Sequence, residues 1–299
     1  MKRKHKKTIS FILALLFVIA YYITEGPVQD ESYSKNENIK KTNVVSTDLQ
    51  VHYIDVGQAD SILITNNNHN MLIDAGNNED GKKIVDYISS LGITSLDYVV
   101  GTHPHEDHIG GLDDIINHFN VKEVYLPEAM TTTKTFEDVL DAVANKNLSI
   151  TVPTIGETFN MGEAELEVIY TGTGEKDLNE ASIILKMIFG KYTYLFTGDT
   201  TEEIEKTILT ENINIDILKV AHHGSKYSSC EKFLQIATPE YAIISAGDGN
   251  SYGHPEPETI TRLKKYTDKI YVTKDLGTII LTSDGNRIDL KTKKTDTNG

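Results

Sequence analysis

The sequence predicts an α/β fold in four layers, an αββα sandwich in which two sheets face each other and helices cover the outer sides. Apolar runs of strand length alternate with segments of helical period from about residue 48 to about residue 292. Both halves of that stretch mix the two kinds of element, and no repeat of 20–50 residues recurs. At 299 residues, 39% hydrophobic and 24% charged, the chain has the composition of a globular protein and length enough for one large α/β domain or two small ones with a packed core.

Residues 1–24 open with Lys2, Arg3, Lys4, Lys6 and Lys7, followed by the uncharged apolar run 8–23. This reads as one hydrophobic helix, a signal anchor or a signal peptide. No small-residue cleavage site follows, so the expectation is an uncleaved anchor. Residues 8–23 would contact the cytoplasmic membrane, basic end inside, with the following domain extracellular, or secreted if the segment is cleaved. Residues 25–47, rich in Ser, Asn, Glu and Lys, read as a disordered tether.

The globular domain is expected over 48–292, with a polar tail at 293–299. LQVHYIDV and DSILITN are strand-like, and HNMLIDAG after the NNN turn completes a hairpin-type start. GKKIVDYISSLGI has helical spacing and stops at Gly92. LDYVVGTH is an apolar strand, GGLDDIINHF a short helix, VKEVYLP a strand and TFEDVLDAVANKN a helix; LSITVP returns to strand. AELEVIYTG, ASIILKMIFG and YTYLFTGD are successive strands. Then TTEEIEKTIL (helix), IDILKVAHHG (strand), EKFLQIATP (helix), YAIISAG (strand) and PEPETITRLKKY (helix) alternate, and KIYVTK and GTIILTSDG close the domain as strands.

Charge and cysteine content exclude several functions. The net charge is −15, and setting aside the five basic residues at the start leaves 24 Lys and Arg against 44 Asp and Glu. A domain so acidic lacks the footprint of a protein that grips long nucleic acid by its phosphates. It remains compatible with short or metal-held phosphates, because bound cations add local positive charge. One cysteine, Cys230, rules out an internal disulfide and a cysteine-based zinc site; it reads as a partly buried thiol near a helix start. TGTGEKD at 171–177 lacks the GKS ending of a phosphate loop.

The chemistry concentrates in THPHEDHIGG at 102–111, where His103, His105, Asp107 and His108 directly follow an apolar strand. The alternate residues His103 and His105 can reach one metal ion, while Asp107 and His108 turn to a second. Imidazole and carboxylate ligands suit Zn or Mn, and a loop at a strand end leaves a coordination position open for water.

This motif resembles the H-x-H-x-D-H signature of the metallo-β-lactamase superfamily, and the resemblance runs from about residue 50 to 290. It implies that Asp74 in LIDAG supports the metal loop and that Asp199 in LFTGDT bridges two divalent metal ions. His222 and His223 in LKVAHHGS stand where a terminal ligand of the second metal is expected, one ligating and the other near the substrate. HYIDVGQADSILI, LNEASIILKM and SYGHPEPETI add a resemblance to the ComEC-type branch, with Ala59 in place of a usual glycine. No histidine lies between 118 and 222, so the usual third histidine of the first metal site is missing. The branch carries an Asn/Ser segment there, matched by Asn179 and Ser182, whose alternative reading is turn and strand chemistry. His254 lines the site in this reading, contacting substrate or protonating a leaving group, or else is a helix-start residue beside Pro255. His5, His52, His69 and His118 read as surface or structural.

The resemblance implies a dinuclear hydrolase using a metal-bridging hydroxide, with Asp107, His222, His223 and His254 as catalytic candidates. The expected substrate is a phosphodiester, in DNA or in a cell-envelope polymer, and no protein partner is inferred. A lactone or β-lactam hydrolase is one alternative. A non-catalytic metal-binding envelope or DNA-uptake module is another, against which stands the complete set His103, His105, Asp107, His108 and Asp199.

Overall fold

A computed structural model describes residues 48–174, 176–209 and 214–294. Eight strands form the first sheet: β1 (Leu49–Tyr53), β2 (Ser61–Asn66), β3 (His69–Ala75), β4 (Ser95–Val100), β5 (Asn120–Tyr125), β6 (Ile150–Thr151), β14 (Thr278–Ser283) and β15 (Ile288–Lys293). Their order is β15-β14-β1-β2-β3-β4-β5-β6. Seven form the second sheet: β7 (Thr158–Met161), β8 (Ala164–Tyr170), β9 (Ile184–Phe189), β10 (Tyr192–Phe196), β11 (Ile217–Lys219), β12 (Tyr241–Ile244) and β13 (Ile270–Val272), in the order β13-β12-β11-β10-β9-β8-β7. The helices are α1 (Gly81–Ser90), α2 (Glu106–Ile109), α3 (Leu112–His118), α4 (Lys134–Asn145), α5 (Glu202–Thr207), α6 (Glu231–Ala237), α7 (Pro257–Leu263) and α8 (Thr273–Leu276).

Period-two alternation divides the apolar side chains between layers. On β1, β2 and β3, Leu49, Val51, Ile62, Ile64, Met71 and Ile73 face the second sheet and meet Leu166, Leu185, Tyr194 and Phe196. The opposite faces send Leu63 and Leu72 toward the helical layer, where they pack with Ile84 and Ile88 of α1, Ile115 and Ile116 of α3 and Val139 of α4. Leu195, Leu218 and Ala242 pack outward against Phe233 and Leu234 of α6 and Leu263 of α7. Three apolar layers between four structural ones make the αββα sandwich that the sequence predicts.

Strands β3 to β6 pair in parallel, as do β10 to β13. Parallel strands with helical crossovers place their carboxyl ends on one edge, where the connecting loops meet. The carboxyl end of β3 carries Asp74, and the loops after β4, β10, β11 and β12 carry the 103–108 segment, Asp199, His222–His223 and His254.

Several elements differ from the sequence reading. β7 and β15 were not expected; β15, with the exposure-alternating sequence IDLKTK, is a polar edge strand with little apolar signal. The His-rich loop contains the single helical turn α2, and α8 takes over at Thr273, where the strand KIYVTK was expected to continue. The last two strands return beside β1, with Val51 opposite Leu281, so the first sheet joins both ends of the domain.

One expectation is corrected outright. Among the described residues no helix is long and apolar enough to cross a membrane, so a single N-terminal anchor with an extracellular domain is not supported. The hydrophobic helix of residues 8–23 and the tether of 25–47, on which that reading relied, lie outside the described residues, as does the tail from 295 onward.

Candidate metal centre

The centre starts from the loop after β4. Its turn into α2 and α3 is compact because Gly110 lies against the loop after β3; a Cβ there would stand 2.2 Å from the carbonyl carbon of Asn77. That approach tolerates only glycine, which accounts for the Gly-Gly after His108.

Asp74, buried at the end of β3, holds this loop. It sits at φ 58°, a conformation unfavourable for a residue with a side chain. One carboxylate oxygen accepts from Thr102 N at 2.8 Å; the other accepts from Thr102 Oγ1 and His108 Nδ1, both at 2.8 Å. Burial pushes its carboxyl above the usual range, against the pull of His108. The bond to His108 Nδ1 orients that ring so that Nε2 points inward, where it would offer a lone pair to a metal that displaces its proton.

The second sheet supplies the other half. Asp199 follows β10, and its backbone N–H donates to Ser182 Oγ at 3.2 Å. His222 and His223 follow β11 in consecutive left-handed conformations, φ 51° and 53°, each costing roughly 1–2 kcal/mol. Hydrogen bonds from His222 N to Gly198 O and from Ser225 N to His222 O stabilise this turn. His223 donates from Nδ1 to Ser245 O at 3.0 Å, which leaves its Nε2 pointing inward as the nitrogen available to a metal.

The ligand-type atoms of Asp107, His108, Asp199 and His223 all lie within 4.8 Å of one another. His223 Nε2 is 3.3 Å from Asp107 Oδ2 and 3.4 Å from Asp199 Oδ2, and His108 Nε2 is 3.3 Å from Asp199 Oδ1. These contacts fall short of hydrogen-bond geometry: His108 Nε2, His223 Nε2 and Asp199 Oδ1 are buried without a partner. Buried polar atoms left unpaired are costly. Two inward imidazole nitrogens converging with two carboxylates fit a divalent cation that replaces their protons.

Electrostatics point the same way. Burial would lower the basicity of both rings, but the carboxylates outweigh it. Asp199, Asp74 and Asp107 carry His108 well above its ordinary value, and Asp199 and Asp60 take His223 to about 10. Asp107 and Asp199 are held below the usual carboxylate range despite burial, Asp107 mainly by His108 and Asp199 mainly by His223 and His108. The pocket demands positive charge, whether as protons or as a metal.

His103 and His105 pair beside this cluster, His103 Nε2 lying 3.0 Å from His105 Nδ1, and the His103 ring lies 4.1 Å from that of His108. They do not join the tight group of four. Of the adjacent histidines, His223 enters it, whereas His222 is partly exposed with Nε2 3.7 Å from Asp199 Oδ2. A cavity of about 330 Å³ opens over the cluster, lined among others by His105, Asp107, Asn179, Asp199, His222 and His254. Asn179 Oδ1 is buried there without a partner, and Ser182 reaches the site through Asp199. Cys230 is buried just before α6, away from the cavity lining, and His52 bonds Tyr87 behind the first sheet.

Sequence reasoning gave no site role to Asp60, visible only as a branch-pattern residue of VGQAD, and missed Lys219. They form an ion pair at 2.7 Å, each 1% exposed, and Asp60 Oδ1 lies 3.6 Å from His223 Nδ1. Lys219 is a lone charge in the apolar strand ILKVA, and that was the available signal. Gln58, which meets His254 at 3.3 Å, was visible only as part of VGQAD.

Fold and site together define a metal-binding α/β sandwich. Residues 54–248 match the Metallo-beta-lactamase superfamily, and the chain belongs to it. It is 30% identical over 256 residues to ComE operon protein 3 of Bacillus subtilis (strain 168), covering 79% of this chain and 33% of that protein. Competence protein ComA of Neisseria gonorrhoeae is 25% identical over 224 residues, covering 73% and 30%. The chain thus spans about a third of the length of these curated relatives. The metallo-beta-lactamase fold protein YhfI from Bacillus subtilis superposes with a TM-score of 0.56 at 12% identity, over 79% of this chain and all of that one, a likeness of fold.

Proposed function

We propose that the protein is a phosphodiesterase that works with two divalent metal ions, Zn or Mn. The observation that carries this reading is the convergence of Asp107, His108, Asp199 and His223 within 4.8 Å, beside the His103–His105 pair and beneath an open cavity. Asp199 meets His108 with one oxygen and His222 and His223 with the other, so it would serve as the carboxylate ligand at the centre of such a site. Cations held there supply Lewis acidity, making water acidic enough to attack near neutral pH and stabilising charge on the attacked group.

The chain's own residues do the rest. Asp74 and Ser245 O set the tautomers of His108 and His223, and Ser182 fixes Asp199. Asp107, at the cavity floor, orients the attacking water. His105, Asn179, His222 and His254 line the space for a substrate oxygen. The complete ligand set favours an enzyme over a non-catalytic module. The resemblance to the ComEC-type branch makes DNA the first polymer to try and a cell-envelope phosphodiester the second.

The test is hydrolysis of bis-p-nitrophenyl phosphate with Mn²⁺ or Zn²⁺. Metal-dependent turnover should fall by more than about 100-fold in Asp107→Ala. A folded, metal-loaded protein that cleaves lactones or acyl esters but no phosphodiester would overturn the reading.

A further inference from the structure

We propose that Gln58 is a positioning residue: it fixes His254 in the tautomer with its proton on Nε2, so that the ring offers the substrate a permanent hydrogen-bond donor. Gln58 lies in the loop between β1 and β2, and His254 in the loop after β12, on opposite sheets. Gln58 Oε1 accepts from Gly247 N at 3.1 Å. A backbone N–H can only donate, so this bond settles which end of the amide is oxygen. The other end, Nε2, lies 3.3 Å from His254 Nδ1. It carries only donors, so His254 Nδ1 must accept. In a neutral imidazole whose Nδ1 accepts, the proton is on Nε2.

The surroundings are built to hold this arrangement. Asn250 brackets the His254 backbone, accepting from its N–H at 2.9 Å and donating to its carbonyl at 2.7 Å. Lys274 Nζ donates to the same carbonyl at 3.1 Å. Tyr252 stacks on the ring, 5.6 Å between centroids and 20° between planes. Gln58 is seated as closely: a Cβ on Gly247 would come within 2.5 Å of Gln58 N. His254 itself is 6% exposed and lines the cavity over Asp199.

The consequence is a changed role for His254. Giving up the Nε2 proton would leave an imidazolate, and a proton added at Nδ1 would set N–H against the N–H of Gln58. The ring therefore keeps its proton and stabilises charge on a phosphoryl oxygen. A bond forms between phosphorus and the attacking oxygen, the bond to the leaving oxygen breaks, and that oxygen takes its proton from water. This differs from the leaving-group protonation that the sequence allows. It rests on the phosphodiesterase reading only for the identity of the oxygen that is met.

The test reads the tautomer directly. In the full chain carrying ¹⁵N-histidine, metal-free and Zn²⁺-loaded, long-range ¹H–¹⁵N correlations report which nitrogen of each ring is protonated. His254→Ala identifies the His254 signals by their loss. The expected result is an unprotonated Nδ1 and a protonated Nε2 for His254, with Nδ1 gaining the proton in Gln58→Glu, whose carboxylate accepts. In parallel, His254→Ala should slow cleavage by a similar factor, about 100-fold, for aryl phosphodiesters with p-nitrophenol and with phenol as leaving groups. A protonated Nδ1 in the unaltered protein, or a loss that grows as the leaving group worsens, overturns the proposal. No turnover of any diester with the Nε2–H tautomer intact supports the positioning role and overturns only the phosphodiesterase reading.

Discussion

Replacing Lys219 by methionine should destabilise the domain far more than the loss of one surface charge would. Lys219 Nζ is 2.7 Å from Asp60 Oδ2, both side chains are 1% exposed, and Nζ also donates to Val220 O at 3.1 Å. At that separation the attraction is about 6 kcal/mol for an effective dielectric near 20. Desolvation costs several kcal/mol per ion, so the intact pair contributes little net stability. Lys219→Met keeps the side chain's bulk but strips buried Asp60 of its closest cation, leaving only His223 Nδ1 at 3.6 Å, which should cost up to about 3–5 kcal/mol. Asp60 is also tied to the metal loop, since its N–H donates to Asp107 O at 3.1 Å. Adding Asp60→Asn removes the stranded charge, so the double variant should recover most of the loss, and the cycle should show a coupling of several kcal/mol. The assay is urea unfolding followed by circular dichroism, because the chain has no Trp to report by fluorescence, with a chelator present to keep metal binding out of the comparison. A cost below about 1 kcal/mol for Lys219→Met, or a double variant as unstable as the single one, would refute the reasoning.

Two further outcomes concern other buried groups. Glu205 on α5 accepts from Ser229 N at 2.5 Å and Cys230 N at 2.8 Å, and burial lifts its carboxyl to about 7 against the pull of those N–H groups and Arg262. A folded value above the ordinary 4.5 gives stability that is full below pH 4.5 and lost as pH rises through 7, about 3 kcal/mol in all. The melting temperature of the native protein should therefore fall between pH 5 and 8 relative to that of Glu205→Gln, and parallel curves would contradict this. Asp74→Asn sets an amide where three donors converge and loosens His108, so Zn²⁺ affinity by chelator competition should drop about 10- to 100-fold with the fold intact; unchanged affinity would remove Asp74 from the support of the metal loop.

How much of this was legible in the sequence depends on the range of the interaction. Local pattern showed the four-layer class, because alternation on β1–β3 and helical period in α1 and α4 reflect which face each residue buries. It also exposed the His-rich loop, because four ligand-type side chains within six positions are a local fact. Apolar patterning did not reveal β15, which has almost no buried face, nor the return of β14 to pair with β1, which joins residues more than 200 apart in the chain.

At the site the division is sharper. The sequence placed His222 and His223 side by side but could not separate them; the left-handed turn and the bond to Ser245 O send His223 Nε2 into the cluster and leave His222 at the cavity wall. It placed Ser182 in the right segment without showing that its hydroxyl accepts from Asp199 N. Composition and motif by themselves determined the family, the ligand types and the acidity that disfavours a long grip on nucleic acid. Only tertiary structure decided the tautomers of His108, His223 and His254, and the pairing of Asp60 with Lys219, because each depends on a hydrogen bond or ion pair between residues far apart in sequence. Such contacts are set to within a few tenths of an ångström by how the two sheets pack, and no local pattern encodes that distance.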